Sequence, residues 1–413
     1  MQYVTFITCN LMGGKRMKKW IVALLIVSFA IFALGCQAAK TEKTQTNTGS
    51  SDTSKEASNE PYVVGAVVSV TGPTAALGVQ EKNTLLMEAD KINKAGGING
   101  HKIDLKIEDD QSVATNAVIA ASKLIDQEHV IALIGGTGSP ATLAMKPKTA
   151  EAKIPQIAMA AGIKITEAPN EWIVRTAQSD AVAVQKVIDY MSKTLKIKKF
   201  AILSDANAFG QSGSTELKKL APKAGLEVVA SETYKTDDTD VSSQLTKING
   251  AKPDVVVVWG TNPGPAVAAK NMKTLGMKMP YIGSHGIANK TFLTLAGSAA
   301  EGIVFPAGKI LVPSSATGDQ ADVIKTFTAD YKAKYGENPN SFAGHAYDAI
   351  NILANALKEA GSNNEKLRDA IEKTKDFVGI SGIFTYGADN HDGTTSSDMI
   401  MVEVKDGKWI EKK

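Results

Sequence analysis

Asp254-Val255-Val256-Val257-Val258-Trp259-Gly260-Thr261 sets four consecutive valines between an aspartate and a tryptophan. Its β-branched run carries no alternation of polar and apolar residues, so it is not a strand with one wet face. A strand apolar on both faces must be covered on both, as in the middle of a parallel sheet whose crossovers are helices. Its neighbours agree. Amphipathic segments of helical period, Val241–Ile248 and Pro265–Leu275, stand on either side, and another short strand, Pro280–Gly283, follows.

The same alternation extends along the chain in both directions. Upstream it reads as helix Ala181–Leu195, strand Phe200–Ser204, helix Gly210–Lys223 and strand Glu227–Tyr234. Before that comes a first series: Val63–Val70, helix Glu81–Lys94, Lys102–Glu108, helix Ala114–Asp126, Val130–Ile134, helix Pro140–Ala152, Pro155–Met159. Strand–helix alternation of this length predicts α/β architecture with doubly wound parallel sheets, and two series predict two lobes. Helices Asp319–Tyr335, Phe342–Lys358 and Asn364–Lys373 come after the second series has ended. Short strands are expected near Ile303–Pro306 and Val378–Gly382. The chain is therefore expected to return to the first lobe and cross back through several hinge strands. This gives a first lobe of 61–178 plus 307–378 and a second of 179–306 plus 379–413. Asp398–Val404 and Lys408–Ile410, joined by Asp406-Gly407, read as a closing hairpin.

The chain's start is of a different kind. Met17-Lys18-Lys19-Trp20 precedes an apolar run ending in Phe32-Ala33-Leu34-Gly35-Cys36. About 15 apolar residues suit a secretory signal, whereas a spanning helix needs about 20. Gly35-Cys36 resembles the end of a bacterial lipoprotein signal, where cleavage exposes a Cys that receives diacylglycerol; Ala33 stands where Leu is commonest. The resemblance implies a signal peptide over 1–35, lipidation of Cys36, and a location on the outer face of the bacterial cytoplasmic membrane. The true start is expected at Met17. Residues 36–60 are rich in Thr, Ser, Asn, Lys and Glu, with nothing to bury, and read as a flexible tether.

Composition narrows the function. The formal net charge is +3, and loss of Lys15, Arg16, Lys18 and Lys19 with the signal leaves −1. There is no basic excess for nucleic acid. Of the two cysteines, Cys9 and Cys36, only the lipidated one remains, so no internal disulfide forms.

Several stretches together look like a known family. They are Val63-Val64-Gly65-Ala66, Ser69-Val70-Thr71-Gly72-Pro73-Thr74-Ala75, Asp90-Lys91-Ile92-Asn93-Lys94-Ala95-Gly96-Gly97-Ile98-Asn99-Gly100 and Glu108-Asp109-Asp110. Ser204–Gly210, Asp254–Trp259 and Ala346-Tyr347-Asp348-Ala349 add to them. In order, over Pro61–Lys413, they resemble the leucine/isoleucine/valine-binding family of periplasmic binding proteins. The resemblance implies a type I two-lobed clamshell with a multi-strand hinge that hands a small solute to the permease subunits of an ABC importer. It implies no cofactor; a monomer is expected.

The loop after Val130–Ile134, Gly135-Gly136-Thr137-Gly138-Ser139-Pro140-Ala141, opens a helix at the carboxyl end of a strand, where open α/β sheets bind ligands. Helix-terminal amides and the hydroxyls of Thr137 and Ser139 suit an anion. Ser139 matches the family serine that holds a ligand carboxylate; capping its own helix is the other reading. Ala160 falls in the same cleft, with Gly162 where a hydroxyl residue is usual. His285, in Gly283-Ser284-His285-Gly286, stands where the amino-acid binders have an acid for the ligand's ammonium; a supporting place behind the site, with another group meeting the ammonium, is the other reading. Thr261 stands where an aromatic often sits. Leu77, Phe209, Trp259 and Phe342 are candidate apolar walls, each also explicable as ordinary packing; only Phe342 has family support.

Catalytic patterns fail. Gly136-Thr137-Gly138-Ser139-Pro140-Ala141 fits a dinucleotide fingerprint, but no acid ends the next strand. Gly210-Gln211-Ser212-Gly213-Ser214 misses the nucleophile elbow by its last residue. The Asp389–Gly393 turn, with His391, is explained by turn chemistry rather than cation binding, and His345 reads as packed. The leading expectation is a solute-binding lipoprotein for a carboxylate or amino acid. A ligand-sensing module of a membrane receptor and an exported enzyme are the alternatives.

Overall fold

The computed structural model describes residues 59–167 and 171–413; the signal segment and Cys36 lie outside the described residues. The first series folds as β1 (Tyr62–Val68), α1 (Ala75–Lys94), β2 (Ile103–Asp109), α2 (Ala114–Asp126), β3 (Ala132–Gly135), α3 (Ser139–Glu151), β4 (Gln156–Ala158) and β5 (Ile173–Arg175). Its five strands are parallel, in the order β2-β1-β3-β4-β5. The second series is α4 (Asp180–Asp189), β6 (Lys199–Asp205), α5 (Ala208–Leu220), β7 (Glu227–Tyr234), α6 (Ser242–Gly250), β8 (Val255–Trp259), α7 (Gly264–Thr274), β9 (Tyr281–Gly283), α8 (Lys290–Ala296) and β10 (Val304–Gly308). Last come α9 (Gly318–Tyr335), α10 (Ser341–Ala360), α11 (Asn364–Glu372), β11 (Phe377–Val378), β12 (Ile383–Phe384), β13 (Met399–Lys405) and β14 (Lys408–Glu411).

The second sheet runs β14-β13-β10-β9-β8-β6-β7. Within it β7-β6-β8-β9-β10 repeats the strand order of the first sheet, and β13 and β14 extend it antiparallel. Every residue of β8 is fully buried, as its two-sided apolar sequence requires. One face of the first sheet packs Val64, Ala66 and Val68 against Leu85 of α1 and Ala346, Ile350 and Leu353 of α10. The late helix α10 is thus packed on the first sheet, while β13 and β14 join the second. The other face packs Val67 and Leu133 against Leu124 of α2 and Met145 of α3.

Several elements differ from expectation. Helix α1 begins at Ala75, before Glu81, because Gly78 is a packing residue rather than a turn: a Cβ there would lie 2.2 Å from the Ser69 carbonyl oxygen. Val378–Gly382 is not one strand. Strands β11 and β12 flank that segment instead, and the Asp348 carboxylate accepts the Ile380 and Ser381 amides inside it, at 2.6 and 2.8 Å. Strand β5 and helix α8 carry too few residues, three and seven, to show a period. The β13–β14 turn has positive φ at Asp406 and Gly407, the conformation an Asp-Gly hairpin demands.

Candidate functional site

In both sheets the strand order reverses beside the first strand, between β1 and β3 and between β6 and β8, and ligands of open α/β sheets bind at such points. A cleft of about 400 Å³ lies there. Its lining is drawn mostly from residues just past strand ends: Ser69 after β1, Thr137 and Ser139 after β3, Ala160 after β4, Phe209 after β6, Thr261 after β8, His285 after β9, with Leu77 from α1. Helix α10 adds Phe342 and His345.

Ser139 is the first residue of α3, and Gly138 occupies the cap position, so Ser139 does not cap its helix. Its Oγ accepts the Gly162 amide at 3.0 Å, which leaves the hydroxyl proton free to donate. Gly162 itself is not among the lining residues. The Thr137 hydroxyl is engaged: Oγ1 accepts the Ser69 amide at 3.0 Å and donates to the Glu81 carboxyl. Ser69 Oγ in turn donates to Asp110 at 2.6 Å. These bonds tie the loops after β1, β2 and β3 together beneath the start of α3.

His285 lines the cleft and is buried, and burial lowers it to about 3, with Arg175 adding to the shift and the Gln178 backbone opposing it. It is neutral at physiological pH. Nε2 lies 3.9 Å from Asp180 Oδ1, too far for a hydrogen bond, and both ring nitrogens are sealed from solvent. Asp180, buried behind it, is raised to about 7 by burial, against the hydrogen bonds from Ser212 and Trp259 and the charge of Arg175. Trp259 is fully buried and does not reach the cleft. Its Nε1–H donates to Asp180 at 3.0 Å, and its ring backs His285 at 5.8 Å.

Beneath the loop after β4 sits Arg175, with no exposed side-chain surface. Its guanidinium pairs with Asp392 at 2.8 Å and donates to the carbonyls of Ala160 and Ile163 at 3.4 and 3.3 Å. Asn207, Asp237 and His345 also line the cleft, though the sequence reading names none of them as a cleft residue and takes His345 as packed. Asn207 and Asp237 sit two and three residues past strands whose ends were legible, so the strand-end rule alone would have found them. His345, three residues beyond Phe342 on one helix face, had no such signal. The turn near His391 is held by Asn390 Oδ1, which accepts the amides of Asp392 and Gly393.

The family model for periplasmic binding proteins matches residues 61–408. The Leu/Ile/Val-binding protein homolog 3 of Brucella melitensis is 26% identical over 352 residues, covering 84% of this chain and 92% of that protein. The substrate-binding protein LivJ of the Streptococcus pneumoniae branched-chain amino acid transporter, solved with isoleucine, superposes with a TM-score of 0.76 at 27% identity, covering 85% of this chain and all of that one. An ABC-transporter solute-binding protein of Rhodopseudomonas palustris, solved with 3,4-dihydroxybenzoic acid, gives a TM-score of 0.72 at 26% identity, covering 86% and 96%.

Proposed function

The chain belongs to the periplasmic binding protein family, and from that membership we propose that it is the solute-binding lipoprotein of an ABC importer, taking a small carboxylate without an α-ammonium. Members of this family bind solutes rather than transform them. The observation that carries the ligand reading is the pairing of Ser139 with His285. Ser139 offers a hydroxyl proton at a helix N-terminus, where negative charge is favoured. The position facing an ammonium in amino-acid binders holds a neutral, buried imidazole instead. Among the described lining residues the acid is Asp237, which is exposed. A desolvated ammonium without a partner costs several kcal/mol. Relatives solved with isoleucine and with 3,4-dihydroxybenzoic acid support a fold that accommodates either chemistry.

The lobe boundaries at 61–178 plus 307–378 and 179–306 plus 379–413, closure of the lobes on the solute, anchoring through Cys36 and docking on permease subunits belong to the same proposal. Titration calorimetry with leucine and its deaminated counterpart 4-methylpentanoate tests the ligand reading. The acid is expected to bind and the amino acid not; tight leucine binding overturns the ligand class and leaves family membership intact.

A further inference from the structure

Four rings line the cleft, from elements on both sheets. Phe209, at the start of α5, meets His285, after β9, edge to face, with centroids 5.4 Å apart and planes at 79°. Phe342 and His345 on α10 repeat the arrangement at 5.5 Å and 77°. All four are buried and line the same space. Trp259 locks the first pair from behind, 6.2 Å from Phe209 and 5.8 Å from His285.

The imidazoles act here as rings rather than as charges. Burial lowers both to about 3, Arg175 adding for His285 and the neighbouring His285 adding for His345. Both His285 nitrogens and His345 Nδ1 are sealed from solvent, and His345 Nε2 meets Gln178 Oε1 at 3.3 Å. Gln178 Nε2 donates to the Ser381 carbonyl at 2.6 Å, which leaves its Oε1 as the acceptor and fixes the proton on His345 Nε2. Three of the four ring nitrogens are thus closed to a ligand, and the fourth is engaged by Gln178.

Resting on the carboxylate reading above, we propose that the ligand is an aromatic carboxylate, its ring held among Phe209, His285, Phe342 and His345 while its carboxylate meets Ser139. A planar ring gains edge-to-face and offset contacts from such a lining, worth about 0.5–1.5 kcal/mol per pair beyond burial, whereas a saturated ring of the same size gains burial alone.

The test is calorimetry on the full chain in detergent with benzoate, cyclohexanecarboxylate and benzamide. Benzoate is expected to bind about tenfold more tightly than cyclohexanecarboxylate, the effect of one or two ring pairs. Phe342→Leu and His345→Leu should each shrink that ratio while melting temperatures confirm folding. Phe209→Leu, at the start of α5, gives the same readout if either variant fails to fold. Equal binding of benzoate and cyclohexanecarboxylate overturns the aromatic proposal and keeps the carboxylate reading. Benzamide matching benzoate overturns the carboxylate reading and keeps the ring subsite. No heat and no melting shift with benzoate overturns the proposal, and the carboxylate reading falls with it if cyclohexanecarboxylate is silent as well.

Discussion

The Thr137 hydroxyl, at the mouth of α3, is hydrogen-bonded to the carboxyl of Glu81 on α1, and both groups are buried. Burial raises Glu81 from its ordinary 4.5 to about 8, the Thr137 bond opposing and Asp110 reinforcing the shift. A raised folded-state value means the folded protein holds a proton that the unfolded chain releases above pH 4.5. The stabilisation is complete below that pH and is lost as pH rises toward 8. The native protein should lose about 3 kcal/mol from this group between pH 5 and 8. Glu81→Gln, which cannot ionise, should show a flatter profile in urea titrations. Asp180 and Asp348, both raised to about 7 by burial, tilt the profile alike in both proteins. Parallel profiles for the two would mean Glu81 is ionised in the native state.

Gly162 controls the geometry of Ser139. A Cβ at 162 would lie 3.0 Å from Ser139 Oγ and 3.1 Å from its Cβ, while φ −57 and ψ 132 permit any residue. Gly162→Ala should therefore leave melting nearly unchanged and weaken carboxylate binding about tenfold by displacing the serine. Ser139→Ala should weaken it about 10- to 100-fold, the worth of a hydrogen bond to a charged acceptor. Unchanged affinity in Gly162→Ala would place the carboxylate away from Ser139.

How much of this was legible in sequence follows from range. Val255–Trp259 and Glu227–Tyr234 match the structure to the residue, because the two-sided apolar run of the first and the β-branched residues of the second, each bounded by turn signals, are written locally. The cleft residues at strand ends were legible for the same reason, once the strands were placed. For Trp259 the sequence leaves cleft wall and ordinary packing both open; an apolar residue at a strand end points to either face by one step of register, and here the step packs it behind His285. The Arg175–Asp392 pair joins residues 217 positions apart, and the proton held by Glu81 depends on a burial that no local pattern encodes.

Anchoring is expected to depend on Cys36, which lies outside the described residues. Lipid chains contribute about 0.8 kcal/mol per buried methylene, whereas a polar tether has no such affinity. A secreted form carrying Cys36→Ser behind a cleavable signal should appear in the soluble fraction, and the native form in the membrane pellet. Retention of the Ser form in washed membranes would point to another anchor.

Asp392 neutralises a buried arginine. Its carboxylate meets a guanidinium with no exposed surface, whose other partners are Thr166 Oγ1 and two carbonyls of the loop after β4. Asp392 also accepts the Thr166 hydroxyl at 2.6 Å. Asp392→Asn removes the contacting charge and leaves Arg175 buried with only the more distant Asp180 to offset it, whereas breaking a pair in which both partners are deeply buried costs about 3–5 kcal/mol. Asp392 keeps 30% of its side-chain surface exposed, so a cost of about 2–3 kcal/mol in urea titration is expected. Because the same guanidinium fixes the Ala160 carbonyl, solute affinity should fall with stability. Arg175→Met combined with Asp392→Asn should recover part of the stability, since the uncompensated charge is then gone, without recovering affinity. A cost below about 0.5 kcal/mol for Asp392→Asn would show that solvent already screens the pair.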